Sequence, residues 1–169
     1  MLFTGQAEAK IDEKSRLAIP AKFRSKDSSG EAGSGTVWYC VPWVKTQSLR
    51  LYPEPLYTAL AEAGRQGASL TPEEDRAELE LILFSATEQA EQDGSNRIRL
   101  ASWQVEALGL PGEVMVLGAR DYLEVRSRVA WQAEFKDKLA AMASLADRLG
   151  RKAAGAQAGG AAGPAGGSA

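Results

Sequence analysis

One short pattern occurs twice in the chain. Asp12-Glu13-Lys14-Ser15-Arg16-Leu17-Ala18-Ile19 and Asp93-Gly94-Ser95-Asn96-Arg97-Ile98-Arg99-Leu100 share Asp-x-x-x-Arg-apolar-x-apolar at an offset of 81 residues. In each copy a phenylalanine, Phe3 or Phe84, stands nine residues ahead of the aspartate. Two copies of one small unit predict a pseudo-symmetric core shared by both halves rather than two unrelated domains. A chain of 169 residues fits one domain, or two half-size units around one core.

The flanking residues predict the same order of elements around each copy. Around the first, a strand from Phe3 to Lys10 leads into the turn, and a strand resumes at Leu17-Ala18-Ile19. Pro20 opens a short helical turn over 21–26, and 27–35 is a Ser/Gly-rich loop. Val37–Val44 and Ser48–Tyr52 read as paired strands ended by Pro53. The second copy repeats this with a strand from Phe84, a strand at 98–100, a helix over 102–108 capped by Gly109, and paired strands at 113–117 and 122–125. Leu49-Arg50-Leu51 then matches Leu123-Glu124-Val125. Between the copies, a helix is predicted over 56–63, stopped by Gly64 and Gly67. A second helix starts at Thr71 as N-cap and presents Leu79, Ile82 and Leu83 at helical spacing. Residues 129–149 form an amphipathic pattern with Trp131, Phe135, Leu139, Met142, Leu145 and Leu149 on one stripe. From 153 to 169 only Gly, Ala, Pro, Ser and Gln occur, a composition that cannot bury enough apolar surface to order itself.

Composition narrows the function. The chain has no histidine, and Cys40 is its one cysteine, set in an apolar run that reads as a strand. The commonest general base and metal ligand are therefore missing, and an internal disulfide is impossible. No Gly-rich phosphate loop joins a strand to a helix. An enzyme, a metal site, a cofactor and a small-molecule substrate are accordingly not expected. No run approaches the roughly 18 apolar residues of a membrane span, and no charged-then-apolar leader opens the chain, so a cytoplasmic protein is expected. Net charge is −2, but it is unevenly spread. Lys10, Lys14, Arg16, Lys22, Arg24 and Lys26 against Asp12 and Glu13 give residues 10–26 a balance of +4. Residues 54–93 hold ten acids against Arg65 and Arg76, a balance of −8. Phosphate binding follows the local field, so a basic patch survives an acidic whole.

Two readings of Asp-x-x-x-Arg stand side by side. In one, Asp12 and Asp93 accept backbone N–H bonds and the arginine returns to the carboxylate, a clasp between strands. In the other, Lys14, Arg16, Arg97 and Arg99 point outward from a rigid turn toward phosphates and base edges.

Phe3-Thr4-Gly5, the run Ile11 to Arg24, and Leu49-Arg50-Leu51-Tyr52-Pro53 resemble the MraZ family. The resemblance covers about residues 1–131 and implies a mainly β fold with peripheral helices. More specifically, it implies a pseudo-two-fold, swapped-hairpin, double-psi-like barrel built from two AbrB-like repeats. On that basis residues 1–53 are the first repeat, 54–83 a helical insert, 84–128 the second repeat, 129–152 a C-terminal helix and 153–169 a disordered tail. The resemblance further implies a bacterial, nucleoid-associated transcriptional regulator. Such a protein binds direct repeats of double-stranded DNA, upstream of the division and cell-wall gene cluster, as a ring of identical subunits. The DNA-contacting turn falls on Lys14 and Arg16 and, in the second copy, on Arg97. Lys10, Lys22, Arg24 and Arg99 complete the expected basic set. Where the family usually has glycine before the arginine, this chain has Ser15 and Asn96, and Leu100-Ala101 replaces an Ile-Pro. The competing reading is an oligomeric protein-interaction module of the same fold without specific DNA binding.

Overall fold

The computed structural model describes residues 2–24, 36–65 and 73–159. Its strands are β1 (Gln6–Lys10), β2 (Arg16–Ala18), β3 (Val37–Trp43), β4 (Ser48–Pro53), β5 (Glu88–Glu91), β6 (Arg97–Arg99), β7 (Glu113–Ala119) and β8 (Tyr122–Ser127). The helices are α1 (Glu54–Arg65), α2 (Glu74–Ser85), α3 (Ser102–Ala107), α4 (Arg128–Ala140) and α5 (Met142–Gly159). The protein is thus mainly antiparallel β with peripheral helices. It divides into two compact units, Met1–Trp131 and Gln132–Ala169.

Six strands form one sheet in the order β1-β7-β8-β4-β3-β5, and β2 pairs with β6 as a separate ribbon. Exchanging the two halves of the sequence turns this order into its own reverse, so the sheet has the pseudo-two-fold that the duplicated motif predicts. Each half lends its first strand to the other: β1 pairs with β7, and β5 with β3. The sheet does not close into a continuous barrel. Its edges β1 and β5 reach the ribbon through single bridges, Ile11 to Leu17 and Gln92 to Ile98. Strands of three residues in β2 and β6 are too short to extend those bridges into ladders.

The core follows from strand alternation, which puts every second residue on one face. Leu17, Ile19, Leu49, Leu51, Ile98, Leu100, Leu123 and Val125 are fully buried or nearly so, and they form four pairs of equivalent positions from the two halves. Phe3 caps this core against Phe23 and Trp38, with ring centroids 6.4 and 5.9 Å apart. Cys40 is buried within it, and burial, with Glu88 nearby, pushes its thiol up to about 12. A buried, protonated thiol is a small hydrophobe, as its strand context predicts.

Several expectations change at the junctions. Phe84 does not open a strand. It sits in the last turn of α2, half exposed, and β5 begins at Glu88. The phenylalanine half of the repeat is therefore a coincidence of spacing, because Phe3 is core and Phe84 is surface. The expected N-cap Thr71, the loop 27–35 and Lys26 lie outside the described residues, and α2 begins after Glu73. The helix predicted over 129–149 is two helices separated at Ala141, and the second runs to Gly159, into the stretch expected to lack order.

Gly118 marks a close approach that the symmetry requires. Its N–H donates to the Gly5 carbonyl at 2.8 Å, and a Cβ there would lie 2.6 Å from the Phe3 carbonyl carbon. Gly118→Ala must push backbone against backbone where Phe3 enters the core. It is expected to lower stability by about 2 kcal/mol, read as a fall in the urea midpoint with an unchanged slope.

Candidate nucleic-acid interface

The two motifs fold into the same turn, atom for atom. In the first, Asp12 Oδ1 accepts the backbone N–H of Lys14 and of Arg16, both at 2.9 Å, and Oδ2 accepts Arg16 Nε at 2.7 Å. In the second, Asp93 Oδ1 accepts from Ser95 and Arg97 backbone N–H at 2.8 and 2.9 Å, and Oδ2 from Arg97 Nε at 3.0 Å. One carboxylate thus closes each turn with three hydrogen bonds. These bonds hold both carboxyls below the ordinary range; the largest contribution is the backbone N–H of Arg16 for Asp12 and of Arg97 for Asp93, opposed by partial desolvation. The clasp reading of the aspartates therefore describes this geometry, and it also engages one nitrogen of each arginine.

The turn bends through the left-handed region at its fourth residue. Ser15 has φ 56° and Asn96 has φ 59°, so the conformation for which glycine is suited survives without glycine. Each residue finds a local partner. The hydroxyls of Ser15 and Ser102 lie 3.2 Å apart, and Asn96 Oδ1 accepts from Gln92 Nε2 at 2.9 Å.

The ribbon decides which basic side chains meet. In the β2–β6 register Arg16 stands opposite Arg99, Leu17 opposite Ile98 and Ala18 opposite Arg97. Leu17 and Ile98 point into the core, so Arg16, Arg97 and Arg99 share the outer face with Ala18. The Leu100 N–H donates to the Ser15 carbonyl, and the Ile19 N–H to the Asn96 carbonyl. Each turn is therefore flanked by the end of the other copy's strand. Lys14 and Arg16 of the first copy gather Arg99 of the second, whereas Arg97 faces only alanine across the ribbon. Lys14 and Arg99 are exposed, and neither side chain has a partner among the described residues.

The remaining basic residues do not join them. Lys22 Nζ donates to the Gln6 carbonyl at 2.9 Å and lies over the Phe23 ring, and Arg24 Nε donates to the Ile19 carbonyl at 2.9 Å. Both are engaged in holding the first copy's helical turn. Lys10 is exposed but faces Glu113 across the β1–β7 ladder. The +4 stretch of sequence is consequently split: Lys14 and Arg16 stay at the first turn, while the chain crosses to the second turn before Lys22 and Arg24.

Two supporting residues carry no sequence signal. Ser102 backs the first turn through Ser15, and the fully buried Gln104 donates to the Cys40 and Ala86 carbonyls at 2.9 and 2.7 Å, fixing α3 against β3. Among the described residues no group of three ligating side chains could hold a metal ion, and no helix is long and apolar enough to cross a membrane.

Comparison with known proteins finds several relatives of this chain. The transcriptional regulator MraZ of Sodalis glossinidius (strain morsitans) is 32% identical over 152 residues, covering 88% of this chain and 97% of its own. The chain belongs to the MraZ family. The MraZ regulator of Corynebacterium diphtheriae is 34% identical over 143 residues, covering 85% of this chain and 93% of its own. That of Mycobacterium sp. (strain KMS) is 34% identical over 131 residues, covering 78% and 85%. The family model described as "MraZ protein, putative antitoxin-like" matches residues 83–152, which hold the second turn. These MraZ relatives are named as transcriptional regulators, not as enzymes.

The two turns differ in strain, and this is measurable. A side chain in the left-handed region costs about 1 kcal/mol, less for asparagine than for serine. Ser15→Gly is expected to be the more favourable of the two glycine substitutions, exceeding Asn96→Gly by about 1 kcal/mol in denaturant melts.

Proposed function

We propose that this protein is a transcriptional regulator that binds double-stranded DNA through the outer face of the β2–β6 ribbon and the first turn. The observation that carries the reading is the cluster of Lys14, Arg16 and Arg99, drawn from both halves of the chain and 85 sequence positions apart at its extremes. Two of its three side chains have no partner among the described residues. A two-stranded ribbon is slim enough to enter the major groove. Arg16 is held at Nε by Asp12, which leaves its two terminal nitrogens as a pre-oriented fork for a guanine edge or phosphate oxygens. Lys14 and Arg99 supply sequence-independent charge beside it.

The second turn contributes less on this reading. Arg97 is held by Asp93 in the same way, yet Ser95 replaces Lys14 and Ala18 replaces Arg99 across the ribbon. The interface is thus polar along a scaffold that is symmetric. Three or four cationic contacts from one chain give modest affinity, which favours several copies acting together on evenly spaced direct repeats. A ring of identical chains on repeats upstream of the division and cell-wall genes satisfies that need, in the cytoplasm and at the nucleoid.

Arg99 and Lys22 separate the interface from the fold. Arg99→Gln is expected to weaken binding to the protein's own upstream DNA and to reduce the salt slope by about 0.9. Lys22→Gln is expected to leave that slope unchanged, since its ammonium is already bound to a carbonyl. A slope that is equal in the wild type and Arg99→Gln, by fluorescence anisotropy across salt concentrations, contradicts the assignment.

A further inference from the structure

An apolar surface that the DNA-binding reading does not use lies on the outer face of the sheet. Val41, Trp43 and Tyr52 from the outer sheet face, Tyr57 and Leu60 from α1, and Phe84 from α2 line an apolar groove of about 180 Å³. Tyr57 is its hinge: its ring stacks on Tyr39 at 4.3 Å and meets Phe84 edge-on at 6.4 Å. A dry cavity of about 150 Å³ accepts a benzene-sized group, so this groove has room for a large apolar side chain. Its rim is open. Leu60 is 52% and Phe84 50% exposed, and Leu79, Leu81 and Ile82 continue the apolar surface along α2. The same two helices carry exposed Glu62, Glu74, Asp75, Glu78 and Glu80, of which only Glu80 is paired, with Arg76, among the described residues.

A matching surface exists elsewhere in the chain. Helix α5 exposes Met142, Leu145 and Leu149, at i, i+3 and i+7 on one face. Beside them stand Arg148, Arg151 and Lys152 against a single acid, Asp147. One surface is an acid-rimmed apolar groove; the other is a basic amphipathic helix with anchors at the spacing that helix-in-groove docking uses.

We infer that α5 of one copy docks in the Trp43–Tyr57–Phe84 groove of a second copy. This rests on the oligomer reading above and names the surface that builds the oligomer. Apolar anchors fill the groove, and Arg148, Arg151 and Lys152 of α5 meet the carboxylates of α1 and α2. Groove and helix are different surfaces, so the contact is heterologous. Each copy that donates its helix keeps a groove for the next, and such a head-to-tail contact forms a ring when its rotation closes. The DNA-facing ribbon takes no part in the contact.

Complementation of two surface variants of the full chain tests this. Leu149→Glu spoils the helix and keeps the groove; Leu60→Glu spoils the groove and keeps the helix. Both positions are exposed, and far-UV circular dichroism checks the fold; Leu149→Ser and Leu60→Ser serve as milder substitutes read in the same way. By sedimentation without DNA, the wild type is expected to assemble, and each variant alone to dissociate roughly tenfold more readily. An equal mixture of the two variants is expected to give a two-chain species, because one intact helix meets one intact groove. A mixture that stays monomeric overturns the proposal. So does a Leu60→Glu protein that assembles like the wild type, which would mean helix-to-helix pairing. A wild type that is monomeric throughout overturns it too, because α5 then has no second copy to serve. A wild type that assembles regardless of both variants sinks this surface alone, and the salt dependence of DNA binding is read separately.

Discussion

Exchange of the first strand between the halves is the constraint on which everything else depends. Among the described residues β1 has no ladder partner in its own half; its backbone groups are satisfied on β7, as those of β5 are on β3. Neither half can fold alone without leaving strand edges open. The exchange also forces β2 and β6 to cross at the centre, where Leu17 and Ile98 meet in the core. The Gly118–Phe3 contact, the paired core positions and the two bridges at the sheet edges are consequences of that crossing.

The same crossing makes the charge distribution. Because β2 and β6 run antiparallel through the pseudo-two-fold, the residue two positions after each motif's arginine ends beside the other motif's turn. Arg99 therefore serves the first turn and Ala18 the second. A symmetric backbone with an asymmetric charge pattern gives the ribbon a direction. Asp12 and Asp93, by contrast, are equivalent in every hydrogen bond, and their role is to hold the arginines.

Much of this was legible in the residues, and the rest was hidden for identifiable reasons. The duplicated Asp-x-x-x-Arg-apolar-x-apolar located both turns, and alternation at Leu49-Arg50-Leu51 and Leu123-Glu124-Val125 located inward-facing residues. Alternation states which face a residue takes but not which strand it pairs with, so the gathering of Arg99 with Lys14 needed the topology. Local charge counting placed Lys22 and Arg24 with Arg16, because it follows the chain and not the crossover. Phe84 satisfied the spacing of a repeat while belonging to the helical period of Leu79, Leu81 and Ile82, and the helix won. Ser15 kept the turn without glycine because three hydrogen bonds to Asp12 outweigh a strain of about 1 kcal/mol.

On the proposed function, the crossing of β2 and β6 builds one DNA face from both halves of the chain. Backbone amide shifts of the isotope-labelled protein, titrated with a short duplex from its own upstream region, test it most directly. Perturbations are expected to concentrate at Lys14–Ala18 and at Arg97–Leu100 together, with amides of α1 and α2 unmoved at the same saturation. Perturbation of Lys14–Ala18 with Arg97–Leu100 silent, or a response centred on α1 and α2, would contradict it.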